Sequence, residues 1–272
     1  MDASISPQDL FARLDPVERP LILDVRRDAA WRQWDRALPW ALRRDPDRIA
    51  DWQGRLELGR PVVAYCVHGH EVSRDAAAAL SAIGYHAGHL EGGIEGWAAA
   101  GLPLVPRRDA PSLWVTRERP KIDRIACPWL IRRFIDADAR ILFVPPERVL
   151  DTARQAAATP FDVPDVPYSH DGERCSFDAF IARHGLDDGA LAELAVIVRA
   201  ADTGRPELAP QAAGLLAVSL GLSARFADDQ EALRHGLVVY DALYAWLRKA
   251  RAETHGWPPA ALGAQERQAR AS

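Results

Sequence analysis

Pro61-Val-Val-Ala-Tyr-Cys-Val-His-Gly-His-Glu-Val-Ser73 decides how the first half of this chain folds. Residues 61–66 form a short apolar run that reads as a buried parallel strand. The strand delivers Cys66 to its carboxyl end, and a short loop then feeds an alanine-rich helix over 73–83, stopped by Gly84. Such a passage turns the backbone N–H groups of the loop toward one point in front of a helix N-terminus, which is an anion site. A thiolate is an anion, so the same dipoles favour the nucleophilic form of Cys66. His68 and His70 can add hydrogen bonds and positive charge, and Gly69 lets the loop turn without steric strain. The plainer alternative is that Cys66 is a small apolar residue ending a strand.

The neighbouring segments support the first alternative. Ser6-Pro7-Gln8-Asp9 opens a helix, with Ser6 as cap, Pro7 in the first turn and Asp9 at the positive end. Residues 20–25 read as a second buried strand ending in Asp24-Val25-Arg26, and ligands gather at the carboxyl ends of parallel strands. The Trp-rich stretch 31–40 reads as a helix and a loop. Residues 85–90 read as a third strand, and Gly92-Gly93 leads into a helix over 94–100. This alternation implies an α/β domain, a parallel sheet with flanking helices, over 1–105. Three prolines between 103 and 111 mark a linker, placed at 106–111.

The remainder has another texture. Residues 112–116 and 140–144 read as strands and 129–135 as helical. From Leu186 onward apolar stripes at helical spacing dominate, such as Leu233, Leu237, Tyr240, Tyr244 and Leu247. These features imply an α+β, mostly helical domain over 112–255, followed by a frayed tail over 256–272.

Composition narrows the function classes. The chain has 272 residues, 48% of them hydrophobic, with a net charge of −4. No basic excess is available to displace counterions from phosphates, so a nucleic-acid partner is not expected. The three cysteines, Cys66, Cys127 and Cys175, are too few for a disulfide framework and suit a reducing cytoplasm. The N-terminus has no secretory-signal pattern, and no apolar run approaches the roughly 18 residues of a membrane span.

In the second half, Cys127 directly precedes Pro128, and two arrangements remain open. A helix beginning at Pro128 would put Cys127 at its positive end and activate it; a helix from near Asp123, kinked at Pro128, would not. His170-Asp-Gly-Glu-Arg-Cys-Ser-Phe-Asp178 holds an imidazole, a thiol and carboxylates across a glycine turn. It reads either as a metal-ligand segment or as a turn followed by an N-cap at Ser176. Asp202 continues the apolar stripe of its helix, and His235 shares a face with Val239, Ala242 and Trp246. A satisfied polar group in the core is the plainer reading of each; His170 and His235 stand as the metal candidates, with the metal itself unspecified.

Two family resemblances follow from these residues. The strand ending Asp24-Val25-Arg26, the Cys66-x-x-Gly69 loop, the helix ending Ile83-Gly84-Tyr85 and Leu90-x-Gly92-Gly93-Ile94-x-x-Trp97 together resemble the rhodanese family over about residues 4–105. The resemblance implies that Cys66 takes a sulfane sulfur as a persulfide and passes it to a thiol or cyanide, with no cofactor. It implies loop support from Val67, His68, Gly69, His70, Glu71, Val72 and Ser73, and substrate or structural roles for Asp24 and Arg26. Two departures stand out. The family's Gly-His-Ile-Pro-Gly-Ala segment is reduced to Ala37-Leu-Pro-Trp-Ala41. Ser73 is the seventh residue after Cys66, where many sulfurtransferases have serine at the sixth. A longer loop resembles that of cell-cycle phosphatases and arsenate reductases, but those enzymes need an arginine clamp at the sixth position, which here is Val72.

The second resemblance is to the C-terminal domain of ChrB-type chromate-resistance proteins. It rests on the run from Lys121 to Asp136, on Phe143-Val-Pro145, Ala158-Thr-Pro-Phe-Asp162, His170 to Asp178, Ile197-Val-Arg-Ala-Ala-Asp-Thr203 and Tyr240-Asp-Ala-Leu-Tyr-Ala-Trp246. The second-domain candidates are Asp123, Arg124, Cys127, Cys175, Asp178, Asp202 and Asp241. The regulators of that family carry a DNA-reading N-terminal region, whose place is taken here by the rhodanese-like part. The expectation is a cytoplasmic sulfurtransferase associated with chromate or oxyanion resistance, acting on a small sulfur donor and a thiol acceptor. The alternative is an oxyanion or redox sensor without turnover.

Overall fold

The computed structural model describes residues 4–56 and 59–253, so the tail expected over 256–272 lies outside the described residues. Along the first half run β1 (Ser4–Ile5), α1 (Pro7–Ala12), β2 (Leu21–Asp24), α2 (Asp28–Gln33), β3 (Arg36–Ala37), β4 (Leu42–Arg43), α3 (Ile49–Trp52), β5 (Val62–Tyr65), α4 (Glu71–Ala82), β6 (Ala87–Leu90), α5 (Gly93–Ala99) and β7 (Val105–Pro106). β2 and β5 are buried at every position, as central parallel strands must be when both faces are covered. The sheet order is β1-β6-β5-β2-β4 and every pairing is parallel. Alternate residues feed opposite cores. Leu21, Leu23, Val62 and Ala64 pack with Ala76 and Leu80 of α4, whereas Ile22, Val63 and Tyr65 pack with Leu10, Ile94 and Trp97. Ser6 caps α1 as expected, its Oγ accepting from Asp9 N at 3.1 Å.

Two expectations change. The helix in the Trp-rich stretch is confined to α2, and the chain then extends into β3. The segment after Pro103 does not leave the first half at once, because β7 pairs antiparallel with β3. Arg107 N donates to Asp35 O at 2.7 Å, and its guanidinium lies 4.0 Å above the Trp31 ring.

The second half contains β8 (Leu113–Arg117), α6 (Asp123–Leu130), β9 (Arg140–Val144), α7 (Val149–Ala156), β10 (Thr159–Pro160), α8 (Ser176–His184), α9 (Gly189–Asp202), α10 (Ala212–Arg225) and α11 (Asp229–Ala245). Its sheet is small and parallel, ordered β10-β8-β9. The helices enclose an aromatic core in which Trp129 meets Phe177, Tyr240 and Tyr244. Of the two arrangements open at Pro128, the structure takes the one with a helix from Asp123: Pro128 lies inside α6, and a wider π-type turn follows over Ile131–Ile135. Asp241 holds α11 to this segment. Its carboxylate accepts from Trp129 Nε1 at 2.7 Å and from Arg133 Nε and Nη2 at 2.9 and 2.7 Å.

Ion pairs join the two halves. Arg44 grips Asp138 in bidentate fashion at 2.8 and 3.0 Å, and Arg248 and Lys249 pair with Asp15 and Glu18. Trp40 stands where the related segment has glycine. It adopts a left-handed φ of 56°, a conformation that is uncommon for a bulky residue. The guanidinium of Arg19 lies 4.7 Å above its ring, and Arg19 Nη1 also donates to Arg133 O at 3.1 Å.

Candidate functional site

Cys66 follows the last residue of β5 and keeps 6% exposure. Its loop is closed from behind by the turn before α5. Gly69 and Gly93 both have positive φ, 70° and 57°. A Cβ on Gly93 would lie 2.4 Å from Cys66 O, 2.5 Å from Val67 O and 2.6 Å from Gly69 N. Only glycine permits that approach. The first turn of α5 donates into the loop, Ile94 N to Cys66 O at 3.0 Å and Glu95 N to Val67 O at 3.2 Å. Ser73 Oγ sits 3.2 Å from Cys66 Sγ and donates to His70 O at 3.2 Å. The serine one place later than usual therefore still meets the sulfur, because α4 starts at Glu71 and carries Ser73 in its first turn. Val72, where a phosphatase needs its arginine, packs partly buried against the sheet core. His68, His70 and Glu71 are exposed around the loop, and His68 Nδ1 meets Glu95 Oε2 at 2.9 Å.

Asp24 and Arg26 are paired with each other inside the fold. They are 2% and 0% exposed. Arg26 Nε donates to both Asp24 oxygens at 2.9 and 3.1 Å, and Nη2 donates to Arg36 O at 3.2 Å. Arg26 also lies over the Tyr65 ring at 5.7 Å. Burial works against the Arg26 charge, but Asp24 outweighs it and holds the guanidinium ionised. The pair ties the end of β2 to Arg36 and packs on Tyr65 at the end of β5.

The second half gathers a different set. β8 and β10 are parallel neighbours, and their carboxyl ends present Arg117 and Asp162 side by side. Asp162 Oδ2 accepts from Arg117 Nη2 at 2.8 Å and lies 3.4 Å from Arg124 Nε. Asp123 opens α6 beside them, 1% exposed. Its position is set by Ile122, whose φ of 38° is strained for a β-branched residue. Ser219 Oγ accepts from Ile122 N at 2.8 Å, and Tyr240 Oη donates to Ile122 O at 3.0 Å, pinning the strained peptide. His170 Nε2 then faces three carboxylates: Asp202 Oδ2 at 3.2 Å, Asp162 Oδ1 at 3.4 Å and Asp123 Oδ2 at 3.7 Å.

Protonation follows from this crowding. Burial, then Asp202 and Asp162, push Asp123 well above the usual carboxylate range. Burial and Asp162 also push Asp202 up. For Asp162 burial acts upward too, but hydrogen bonds from His170, Arg117 and Ser176 outweigh it and leave it low. His170 is pushed up to about 8, first by Asp162 and then by the charges of Asp123 and Asp202.

The other second-domain candidates resolve as follows. Cys127 sits inside α6, and burial followed by the Asp123 charge pushes its thiol far up. The activated arrangement of Cys127 is thus not formed. Cys175 is pushed up by the same causes. Cys175, not Ser176, is the N-cap of α8, because Asp178 Oδ2 accepts from Cys175 N at 3.0 Å. Ser176 is occupied elsewhere, its N donating to Asp123 Oδ2 at 2.6 Å and its Oγ to Asp162 Oδ1 at 2.9 Å. Asp241 is the brace described above. His235 is not part of the cluster; its ring stacks on Phe226 at 4.4 Å. Among the described residues, the group with metal-ligand spacing is Asp123, Asp162 and His170. Sequence reasoning missed Asp162, Arg117 and Ser176 as site residues. No local signal joined them, because β10 is only two residues long and its pairing with β8 is a long-range contact.

A parallel sheet with a cysteine loop at its carboxyl edge, followed by a mostly helical domain on a three-stranded sheet, defines the class. Residues 6–100 match the rhodanese-like domain. Residues 114–247 match the ChrB, C-terminal domain, so the chain joins a rhodanese-like domain to a ChrB C-terminal domain. Protein ChrB of Cupriavidus metallidurans is 36% identical over 154 residues, covering 54% of this chain and 45% of ChrB. The chain thus matches less than half the length of that relative. Among solved structures, a rhodanese-like domain protein from Staphylococcus aureus is 26% identical, covers 39% of this chain and 98% of its own, and gives a TM-score of 0.34. A rhodanese-related protein from Thermoplasma volcanium is 25% identical over 38% of this chain and 96% of its own, also at 0.34. A thiosulfate sulfurtransferase from Pseudomonas aeruginosa is 27% identical over 39% of this chain and 20% of its own, again at 0.34. No helix among the described residues is long and apolar enough to cross a membrane.

Proposed function

We propose that the chain is a sulfurtransferase working through Cys66 and linked to chromate or oxyanion resistance. The Cys66 thiolate attacks the outer sulfur of thiosulfate or a related sulfane donor. A sulfur–sulfur bond forms on Cys66, the donor's own sulfur–sulfur bond breaks, and sulfite leaves with the electron pair. A thiolate or cyanide then takes the sulfane sulfur and returns Cys66 as thiolate. The step needs no cofactor, because the loop amides and the α4 terminus carry the negative charge.

The observation that carries this reading is the loop itself: Cys66 at a strand end, buttressed by Gly69 and Gly93 and touched by Ser73 Oγ at 3.2 Å. The rhodanese-like match supports the chemistry. The ChrB C-terminal domain supports the link to resistance, and fusion raises the concentration of one site at the other. The experiment is a thiosulfate–cyanide transfer assay with wild type and Cys66→Ser, together with intact mass after donor alone. We expect thiocyanate and one added sulfur with wild type, and neither with the variant. Equal rates for the two proteins would overturn the mechanism. Stoichiometric modification of Cys66 without turnover would favour the sensor reading instead.

A further inference from the structure

We propose that Asp123, Asp162 and His170, with Asp202 at their rim, form a binding site for a divalent first-row transition-metal ion. This inference is independent of the sulfur-transfer reading, because none of the four residues belongs to the Cys66 loop.

The geometry is that of ligands awaiting a shared centre. His170 Nε2 lies 3.2, 3.4 and 3.7 Å from oxygens of three different carboxylates. That nitrogen carries at most one proton, so it can hydrogen-bond fully to only one of the three carboxylates. Ligand atoms placed about 2.0–2.2 Å from one ion stand roughly 3.0–3.5 Å apart, which is close to the spacing found.

A second observation points the same way. Asp123 is 1% exposed; its Oδ2 faces His170 at 3.7 Å, and the other oxygen of the same carboxyl group, Oδ1, has no hydrogen-bond partner. An ionisable oxygen left buried and unpaired is costly, and a cation held by the same carboxylate would offset that cost. The supporting groups are already in place. Ser176 N holds Asp123 Oδ2 and Ser176 Oγ holds Asp162 Oδ1. Arg117 draws Asp162 Oδ2 away, so that Oδ1 faces His170. Outer contacts of this kind orient ligands in metal sites.

The donor set selects the class of ion. One imidazole nitrogen with carboxylate oxygens suits zinc, manganese or iron(II), whereas an all-oxygen site would suit magnesium or calcium. Access is open, because the His170 side chain is 41% exposed. A cleft of about 430 Å³, bordered by His170, Asp171, Arg174, Asp178 and Arg183, adjoins it.

The test uses the full chain, freed of metal by dialysis against a chelator. Zn²⁺ and Mn²⁺ are titrated separately by calorimetry, with paramagnetic resonance reporting bound Mn²⁺. We expect a single saturable site, a melting midpoint raised by Zn²⁺, and affinity weakened about tenfold or more in His170→Gln and in Asp202→Asn. Cys66→Ser should bind like wild type. Both cluster positions keep solvent contact, and circular dichroism checks that each variant folds; if one does not, the other decides. Absence of saturable binding to wild type overturns the proposal. So does equal affinity in wild type and a folded cluster variant, which would mark adventitious surface binding.

Discussion

The Cys66 loop and the His170 cluster are built on opposite plans. The first is a main-chain device. Its parts are a strand end, two glycines and the first turns of α4 and α5, contributed by segments 66–73 and 92–95. The second is a side-chain device, whose groups come from positions 117, 123, 162, 170, 176 and 202. A main-chain site needs particular backbone conformations, and glycine supplies them at few positions. A side-chain site needs distant elements packed in register, so each of its members depends on the surrounding fold.

Substitutions test this contrast, and the largest effect is expected at the buried pair Asp24–Arg26. Asp24→Ala removes the carboxylate from a guanidinium that is 0% exposed. Stripping one partner from a buried pair costs about 3–5 kcal/mol, so a urea midpoint close to wild type would mean that the loop does not rest on this brace. Next comes Gly93→Ala, whose methyl group meets three backbone atoms of the Cys66–Gly69 loop at 2.4–2.6 Å. We expect a loss of about 2–3 kcal/mol and a fall in Cys66 alkylation rate; an unchanged rate would show that the loop geometry is not a main-chain property.

In the second site Ser176→Ala deletes the Oγ donor to Asp162 Oδ1 but keeps the backbone N–H that holds Asp123. A loss of about 1–2 kcal/mol is expected, read from thermal unfolding. A much larger loss would show that the cluster is as intolerant as the loop. The smallest perturbation alters no residue. Iodoacetamide applied to the folded chain should label Cys66, while Cys127 and Cys175, whose thiols burial holds protonated, react only after unfolding. Equal labelling of the three in the native state would remove the distinction between the reactive loop and the buried thiols.

Legibility differed between the sites for the same physical reason. The Cys66 loop was readable because its parts are local: strand, glycines and helix start follow one another, and Gly92-Gly93 announces its own turn. Ser73 was readable as a member but not as a neighbour of the sulfur, since that depends on α4 starting at Glu71. In the second half, Asp123, His170 and Asp202 were visible only as separate polar residues. Asp162 was not singled out, because nothing in Thr159-Pro160-Phe161-Asp162 tells that β10 lies beside β8. His235 shows the converse: it had the residue type of a ligand, and the packing of Phe226 gave it a ring partner instead.

From its residues alone the chain could be divided into a parallel α/β part and a mostly helical part, and Cys66 could be placed at a strand end before a helix. Apolar periodicity, glycine and proline carry that information because they act over a few residues. Tertiary structure alone decided that Arg26 is braced inside rather than offered outward, that Cys127 lies within a helix, and that three aspartates meet one histidine. Those outcomes depend on which strands become neighbours and where strained peptides such as Ile122 are pinned, and both are settled by long-range packing.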